Sequence, residues 1–520
     1  MRTFEQYQKD LYAMKPNIFI GDEKVGRDDP RILPGMLLVK ETFDKAFDPK
    51  YEDLCTATSH LTGKKINRFT HIHQTREDLF NKQRMTRVLC HRVGGCIQRC
   101  MGIDALNAVS IVTYECDEAL GTTFHQNFLN YIKMFQEKDL SASCASTDAK
   151  GDRSKRPSEQ ENPDAYLRVV ETREDGIIVR GAKQCITNTP YVDEIIAVPC
   201  RMLFPDDHDY CVSFAIPADW DGIKLLARPA YFHKPKNVPE DMIPKTMDMG
   251  DVETFIIFDD VFIPNERVFL NGQADPRQTP YGGFLALLFA HYHRHSYTGC
   301  KPAVSEILAS AAALVAEYNG IENKAHARDK ISHLLGTAEL VFAAGESSAL
   351  HSEKSPSGTM IPDEILTNAG RRLAGENIYE EYKIVADLAG GLMATLPYLD
   401  TFFNEEVGEL AMKYMQRNPR VPPENVLKCF KGIESLGCSD IAGLMQVAGL
   451  HGGGSPQMET IAMMGRYDLK KLKNIAKYLF GIKSSLGRIE RSEIPTTPRS
   501  MLEKFRKALI AQQKREERNK

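Results

Sequence analysis

The chain has 520 residues, of which 42% are hydrophobic and 26% charged, with a formal net charge of −4. That length implies two to four domains or one large multi-layer unit with an ample core, and the near-neutral balance leaves no footprint for nucleic acid or an anionic membrane surface. The opening residues MRTFEQYQKDLYAMKPN lack a basic-then-apolar leader, and apolar runs such as GGFLALLFA (282–290) are shorter than a membrane span, so a cytoplasmic protein is expected.

Residues 1–139 read as an N-terminal helical domain. Within it, 84–109 predicts one helix, with helical apolar spacing through Leu89, Val93, Ile97 and Met101, weakened locally by Gly94 and Gly95. A polar, charged stretch over 140–165 predicts a loop. From 166 to about 270 the period switches towards two, in YLRVVET, GIIVRGAK, EIIAVP, YCVSFAIP and VETFIIFDDVFIP, which predicts a β domain within 140–275. Helical spacing returns in 281–318, 325–352, 361–387, 423–450 and 457–485, giving a C-terminal helical bundle over 276–498. The tail 499–520 carries eight Lys or Arg against three Asp or Glu, with Leu502, Phe505 and Leu509 as a thin apolar stripe, and reads as a solvated helix or frayed end. The class is α+β, in the order helical, β, helical, without internal repeats.

The chain holds 12 cysteines. In a cytosolic protein, clustered cysteines point to metal binding or catalysis more than to disulfides. Cys96 and Cys100 stand four apart, on one face of the expected helix. In HYHRHSYTGCK (291–301), His293, Tyr297 and Cys300 share a second helical face at i, i+4 and i+7. Each pattern alone is commonly a buried thiol or a satisfied core histidine. Together they supply three thiolates and one imidazole, a set that suits tetrahedral zinc or an iron–sulfur cluster with one histidine ligand. The ligand types do not choose between them. A histidine-held iron would be the one able to open for a substrate oxygen and act as a Lewis acid.

The segments INRFTHIHQ (66–74), CIQRCMGIDALNAV (96–109), TDAKGDR (147–153), REDGIIVRGAK (173–183), FDDVFIPNER (258–267), YHRHSYTGCK (292–301), AGGLMATLP (389–397) and HGGGSPQ (451–457) carry a resemblance over most of the chain. In their order they resemble the 4-hydroxybutyryl-CoA dehydratase family, within the wider 4-hydroxyphenylacetate 3-hydroxylase superfamily. The resemblance implies that Cys96, Cys100, His293 and Cys300 ligate a 4Fe–4S cluster. Flavin hydroxylases of the superfamily share the scaffold but lack this quartet. FDDVFIPNER and the domain order also resemble acyl-CoA dehydrogenases, implying a four-helix C-terminal bundle and FAD between the domains. The resemblance places FAD near Thr147, Lys150, Thr187 and Asn188. Gly390 and Gly391 would admit close backbone approach to a pyrophosphate, and the HGGGSPQ segment, with Gly453 and Ser455, would follow a special backbone path beside the cofactor. No GxGxxG follows a strand, which argues against a Rossmann site.

The reaction so implied removes water from 4-hydroxybutyryl-CoA to give crotonyl-CoA, or shifts the double bond of vinylacetyl-CoA. Its difficulty is a β proton that the resting thioester does not acidify, and a flavin solves this by reversible one-electron oxidation after the α proton has gone. By position His293, if displaced from iron, is the candidate base. Tyr297 would orient the leaving hydroxyl or pass a proton, and Glu253, Gln98 and Lys301 correspond to family active-site positions. One departure stands out. The family has a Glu three residues before its His-Gly-Ala-Gly segment, where this chain has Ala448, and the Ala inside that segment is Gly453. Dehydration therefore loses an acid–base group, while isomerisation keeps its candidates. A homotetramer acting on an acyl-CoA thioester is the family expectation. The rival readings are a two-component flavin phenol hydroxylase and a structural zinc protein or cofactor-free scaffold.

Overall fold

The computed structural model describes residues 1–490 apart from His233, together with Leu502 and Glu503. The expected basic tail thus lies outside the described residues except at those two positions, of which Leu502 is buried against the core.

The N-terminal part contains α1 (Phe4–Tyr12), β1 (Ile18–Ile20), β2 (Glu23–Val25), α2 (Leu33–Asp44), α3 (Glu52–Cys55), β3 (Thr56–Thr58), β4 (Lys65–Asn67), α4 (Arg76–Val93), α5 (Cys100–Leu120) and α6 (Phe124–Glu137). Local sequence explains the ends of α4. Thr75 and Asp78 form a capping box at its start. Gly94 stops it with φ +68, a left-handed conformation that glycine adopts without a Cβ penalty. The single helix expected over 84–109 is therefore broken. Residues 94–99 form a turn, Gln98 has φ +59, and α5 starts at Cys100. Cys96 and Cys100 do not share a helical face: one comes from the turn, the other from the first residue of α5.

The middle part holds β5 (Ala142–Ala145), β6 (Arg168–Thr172), β7 (Gly176–Thr187), β8 (Glu194–Ala197), β9 (Val212–Pro217), β10 (Ile223–Tyr231), β11 (Gly250–Pro264) and β12 (Val268–Asn271). They form a six-stranded sheet in the order β2-β1-β10-β11-β7-β6 and a four-stranded sheet in the order β12-β9-β8-β5. The pairs β1/β10 and β5/β8 are parallel, and the others antiparallel. Alternate residues of β11 (Val252, Ile256, Phe258) meet Val212, Phe214 and Ile216 of β9 in one core between the sheets. The stretch expected to be a loop over 140–165 opens with β5, and β1 and β2 join the sheet from the helical part.

The C-terminal part consists of α7 (Thr279–Tyr318), α8 (Ala325–Leu350), β13 (Glu353–Lys354), β14 (Met360–Ile361), α9 (Glu364–Ala389), α10 (Leu392–Thr395), α11 (Gly408–Lys413), α12 (Pro423–Gly437), α13 (Asp440–His451), α14 (Pro456–Met464) and α15 (Leu469–Leu479). The axis of the molecule is α7, which packs on α4, α5, α8 and α9. By length and composition it passes as a membrane span, but 67% of its most apolar window is buried inside the protein. Its polar residues are buried too, among them Arg294, His295, Ser296 and Lys301, as befits a core helix that carries a site.

Candidate functional site

The turn 94–99, the start of α5 and the middle of α7 converge. Hydrogen bonds from the thiols of Cys100 and then Cys300 hold the Cys96 thiol well below its usual range. The same contacts with Cys96, followed by burial, push Cys100 and Cys300 up. His293 joins them from α7, and the donor atoms of Cys100, Asp104 and His293 lie within 4.8 Å of one another. Cys96, Cys100, Cys300 and His293 are thus brought together from three chain segments. Three soft sulfur donors and one imidazole suit a thiolate-rich metal centre.

Gln98, inside the turn, is tied down on two sides. Its carbonyl accepts from Asn188 Nδ2 at 3.2 Å, and its Oε1 accepts from the Tyr191 hydroxyl. The same hydroxyl lies 3.3 Å from Asp251 Oδ1. Burial and then the neighbouring Glu253 carboxylate push the Asp251 carboxyl well above the usual range. Glu253 is also raised by burial, against a 2.6 Å hydrogen bond from Thr187 Oγ1. Asp251 and Glu253 stand two apart on β11, so they leave the same face of the strand. A mainly apolar cleft is lined by Cys96, Gln98 and Asp251 together with Gly94, Val304 and Leu308.

Next to this cleft, Asn188 has φ +66 and a buried Oδ1 with no hydrogen-bond partner among the described residues, and the adjacent Thr189 hydroxyl is likewise buried and unpartnered among them. Buried polar atoms of native proteins are normally satisfied, so these orphaned groups fit a polar ligand edge beside Thr187. Thr147 and Lys150 lie in the loop that pairs with β7 at Asp148 and Lys183. A second, more open hollow lies between this loop and Ala182 and Phe255.

Beside α7, the glycine-rich loop is bound through its backbone. Arg371 Nε and Nη2 donate to the Gly452 carbonyl at 3.0 and 2.7 Å, and Arg294 Nε donates to that of Gly453 at 2.8 Å. Gly453 has φ +75, and a Cβ there would stand 3.3 Å from His293 Cδ2. The Tyr297 hydroxyl donates to the Gly449 carbonyl at 3.0 Å, and the Arg371 guanidinium stacks 4.0 Å from its ring centroid. Gly453, and Tyr297 on the same helical face, therefore adjoin His293.

Other sequence candidates lie elsewhere. Lys301 is buried within the bundle, where its ammonium bonds Glu381 and, at 3.0 Å, Ser305 Oγ. Ser455 caps α14 by accepting from Met458 N. Gly390 and Gly391 are exposed after α9, and no hydrogen bond among the described residues joins them to the other candidates. Asp104, Lys82, Tyr191, Asp251 and Arg371 were not singled out by sequence reasoning. A signal existed for Asp104, a carboxylate inside the apolar run of α5 and four residues after Cys100, where an unpaired charge is seldom buried.

This scaffold and site define a class, and the comparisons agree. The family pattern described as 4-hydroxyphenylacetate 3-hydroxylase N terminal matches residues 3–270, and its C-terminal counterpart matches 283–481. The chain is 36% identical, over 93% of its length and all of the relative's, to 4-hydroxybutyryl-CoA dehydratase/vinylacetyl-CoA-Delta-isomerase of Clostridium aminobutyricum. It therefore belongs to the 4-hydroxybutyryl-CoA dehydratase/vinylacetyl-CoA isomerase family, an enzyme family, within the 4-hydroxyphenylacetate 3-hydroxylase superfamily. The structure of an oxygen-tolerant archaeal 4-hydroxybutyryl-CoA dehydratase from N. maritimus superposes with a TM-score of 0.87 at 35% identity, covering 94% of this chain and 97% of that one. The monooxygenases are more distant. The oxygenase component of 4-hydroxyphenylacetate 3-monooxygenase from Thermus thermophilus is 27% identical over 80% of this chain and 84% of its own. An oxygenase component solved with FAD shares the fold, with a TM-score of 0.82 at 22% identity, over 92% of this chain and 98% of that one.

Proposed function

We propose that this chain dehydrates 4-hydroxybutyryl-CoA, or a related hydroxyacyl-CoA, to crotonyl-CoA and isomerises vinylacetyl-CoA, using FAD and a 4Fe–4S cluster. The observation that carries this reading is the convergence of Cys96, Cys100, Cys300 and His293, of which Cys96 lines an apolar cleft, in a chain that matches a named dehydratase/isomerase over 93% of its length. The order of helical, β and helical parts supports an acyl-CoA dehydrogenase-like layout, with FAD beside Thr147, Lys150, Thr187 and Asn188. The orphaned Asn188 and Thr189 oxygens are consistent with that place. Exposed Leu479, Phe480 and Ile482 are consistent with a homotetramer, and the reading keeps the protein cytoplasmic.

When bound, the flavin supplies reversible one-electron chemistry and the cluster a Lewis-acidic iron. The chain's own part is placement and proton handling. Val304, Leu308 and their neighbours exclude water from the acyl chain, which strengthens every polar contact inside. His293 would hold the cluster through one ring nitrogen and would serve as base only when that nitrogen is free of the metal. Burial keeps the carboxyls of Asp251 and Glu253 prone to hold a proton, so that Glu253 is suited to return one to the substrate carbon. The Tyr297 hydroxyl, anchored on the Gly449 carbonyl, is suited to orient the departing oxygen. The test is anaerobic purification followed by assay of iron, sulfide and acid-released flavin, with both thioesters as substrates. About four irons and sulfides with FAD, and turnover of either thioester, support the reading. Zinc without sulfide, or flavin without iron, removes it, and the latter leaves the monooxygenase alternative.

A further inference from the structure

Asp104 lies one turn beyond Cys100 on α5 and is fully buried. Its two oxygens have separate duties. Oδ2 stands 3.2 Å from His293 Nδ1, while Oδ1 accepts from Lys82 Nζ at 2.9 Å and from Ser296 Oγ at 2.8 Å. Lys82, from α4, is itself buried, lies 3.4 Å from the Tyr292 carbonyl, and has its ammonium 5.6 Å from the Tyr292 ring centroid. Ser296 follows His293 by three residues on α7, so a single carboxylate grips one turn of that helix at two points.

An ionised carboxylate only accepts hydrogen bonds. Facing Nδ1, it requires the imidazole hydrogen on that nitrogen and leaves Nε2 with its lone pair free. The Lys82 ammonium balances the buried negative charge, which would otherwise be costly beside thiolates. Asp104 also comes within ligand distance of Cys100 and His293, but both of its oxygens are already engaged. We propose that Asp104, held by Lys82 and Ser296, is the positioning residue for His293: it fixes the tautomer and ring orientation that present Nε2 to the three thiols, and it is not itself a ligand. This inference rests on the iron–sulfur reading above.

Asp104→Asn tests it in the whole anaerobically purified enzyme. The amide can satisfy Lys82 and Ser296 through its oxygen only by turning its NH2 group towards Nδ1, which moves the imidazole hydrogen to Nε2. Pulsed EPR of the reduced protein reads the imidazole nitrogen coupled to the cluster. The expected result is iron and sulfide near parental content, loss of that nitrogen coupling, and a kcat lower by roughly ten- to a hundredfold with little change in KM. Retained coupling with a parental kcat overturns the proposal. So does loss of iron with the coupling intact, the result expected of a direct ligand. If Asp104→Asn fails to fold, Ser296→Ala and Lys82→Gln each remove one support and keep the carboxylate. Weakened coupling in either supports the proposal, and unchanged coupling in both overturns it. A parent enzyme without iron or sulfide fails the underlying reading instead, before any variant is made.

Discussion

Lys301 is an active-site residue only by expectation from the resemblance, whereas the structure gives it a partner inside the bundle, and the two roles can be separated. The Lys301 and Glu381 side chains are 1% and 0% exposed. Ser305 Oγ bridges them, at 3.0 Å from Lys301 Nζ and 3.0 Å from Glu381 Oε1. Burial lowers the lysine pKa, and the glutamate works against that shift. Glu381→Leu leaves an ammonium in a dry helical interface, and Lys301→Met leaves a carboxylate there. Removing one partner of such a pair costs about 3–5 kcal/mol. Replacing both by apolar groups of similar volume removes the uncompensated charge, so Lys301→Met/Glu381→Leu should return to within about 1–2 kcal/mol of the parent. The residue of that cost includes the Ser305 hydroxyl, which loses its acceptor and can turn back to a carbonyl one turn away. The assay is urea denaturation followed by far-ultraviolet circular dichroism, with thioester turnover measured on the same preparations. Single losses that simply add in the double variant would refute the pairing argument. A double variant that regains stability yet stays inactive would show that Lys301 also acts in the reaction.

Three further outcomes follow from the site and its surroundings. Thr187→Val removes the hydrogen bond that holds the Glu253 pKa down, so the limb of the pH–rate profile set by Glu253 should move to higher pH; a limb that stays or moves down contradicts the assignment. Burial raises Glu194 to about 7 even though Arg267 pairs with it. Because its folded pKa lies above the unfolded one, its contribution to stability is complete below the unfolded value near 4.5 and is lost as pH rises through about 7. Glu194→Gln should flatten that dependence, so that from pH 5 to 8 the parent loses up to about 3 kcal/mol more than the variant; parallel stability curves would refute it. Brief air exposure should remove activity and bleach the iron–sulfur absorbance together, and an unchanged rate with an intact spectrum would mean that the centre is closed to oxygen.

What the sequence revealed follows the range of the interactions involved. His293, Tyr297 and Cys300 repeat at helical spacing within one long helix, so their shared face could be read directly. The strands β6, β7, β8, β9 and β11 were legible because β-branched residues alternate along them. β5, with the sequence ASCA, was lost among small residues, and β10 was hidden by Pro229 within its span. The break at Gly94 was visible as a glycine pair, but the apolar period runs straight across it, and period alone cannot report a left-handed residue. The polar supports of the site were the least legible. Glu381 lies 80 residues from Lys301, and Asp104 lies 189 from His293. Their partnership exists only once α5, α7 and α9 have packed.

Ala448 poses the sharpest question about the reaction. It sits in the last turn of α13, half-buried, and its carbonyl accepts from Gly452 N at 2.7 Å. The next residue, Gly449, holds the Tyr297 hydroxyl through its carbonyl. A glutamate at 448 would therefore start one residue from the anchor of Tyr297. It would also stand at the negative end of a helix dipole, which disfavours ionisation of a carboxyl and costs about 0.3–1 kcal/mol of stability. A carboxyl held neutral in this way is suited to protonate a departing hydroxyl. With alanine there, the unmodified enzyme should isomerise vinylacetyl-CoA faster than it dehydrates 4-hydroxybutyryl-CoA, because only dehydration expels a poor leaving group. Ala448→Glu should raise dehydration selectively, by up to roughly two to four orders of magnitude. Gly453→Ala in the same chain tests the loop: its φ of +75 and the 3.3 Å approach to His293 Cδ2 mean that the extra methyl strains the backbone and presses on the imidazole, lowering both rates. Both thioesters are assayed anaerobically with parent, single and double variants at equal iron and flavin content. Equal rates on the two thioesters in the parent would show that Ala448 is no handicap and that Glu253 or Tyr297 supplies the proton. Failure of both thioesters in a fully loaded parent would assign the enzyme a different acyl-CoA.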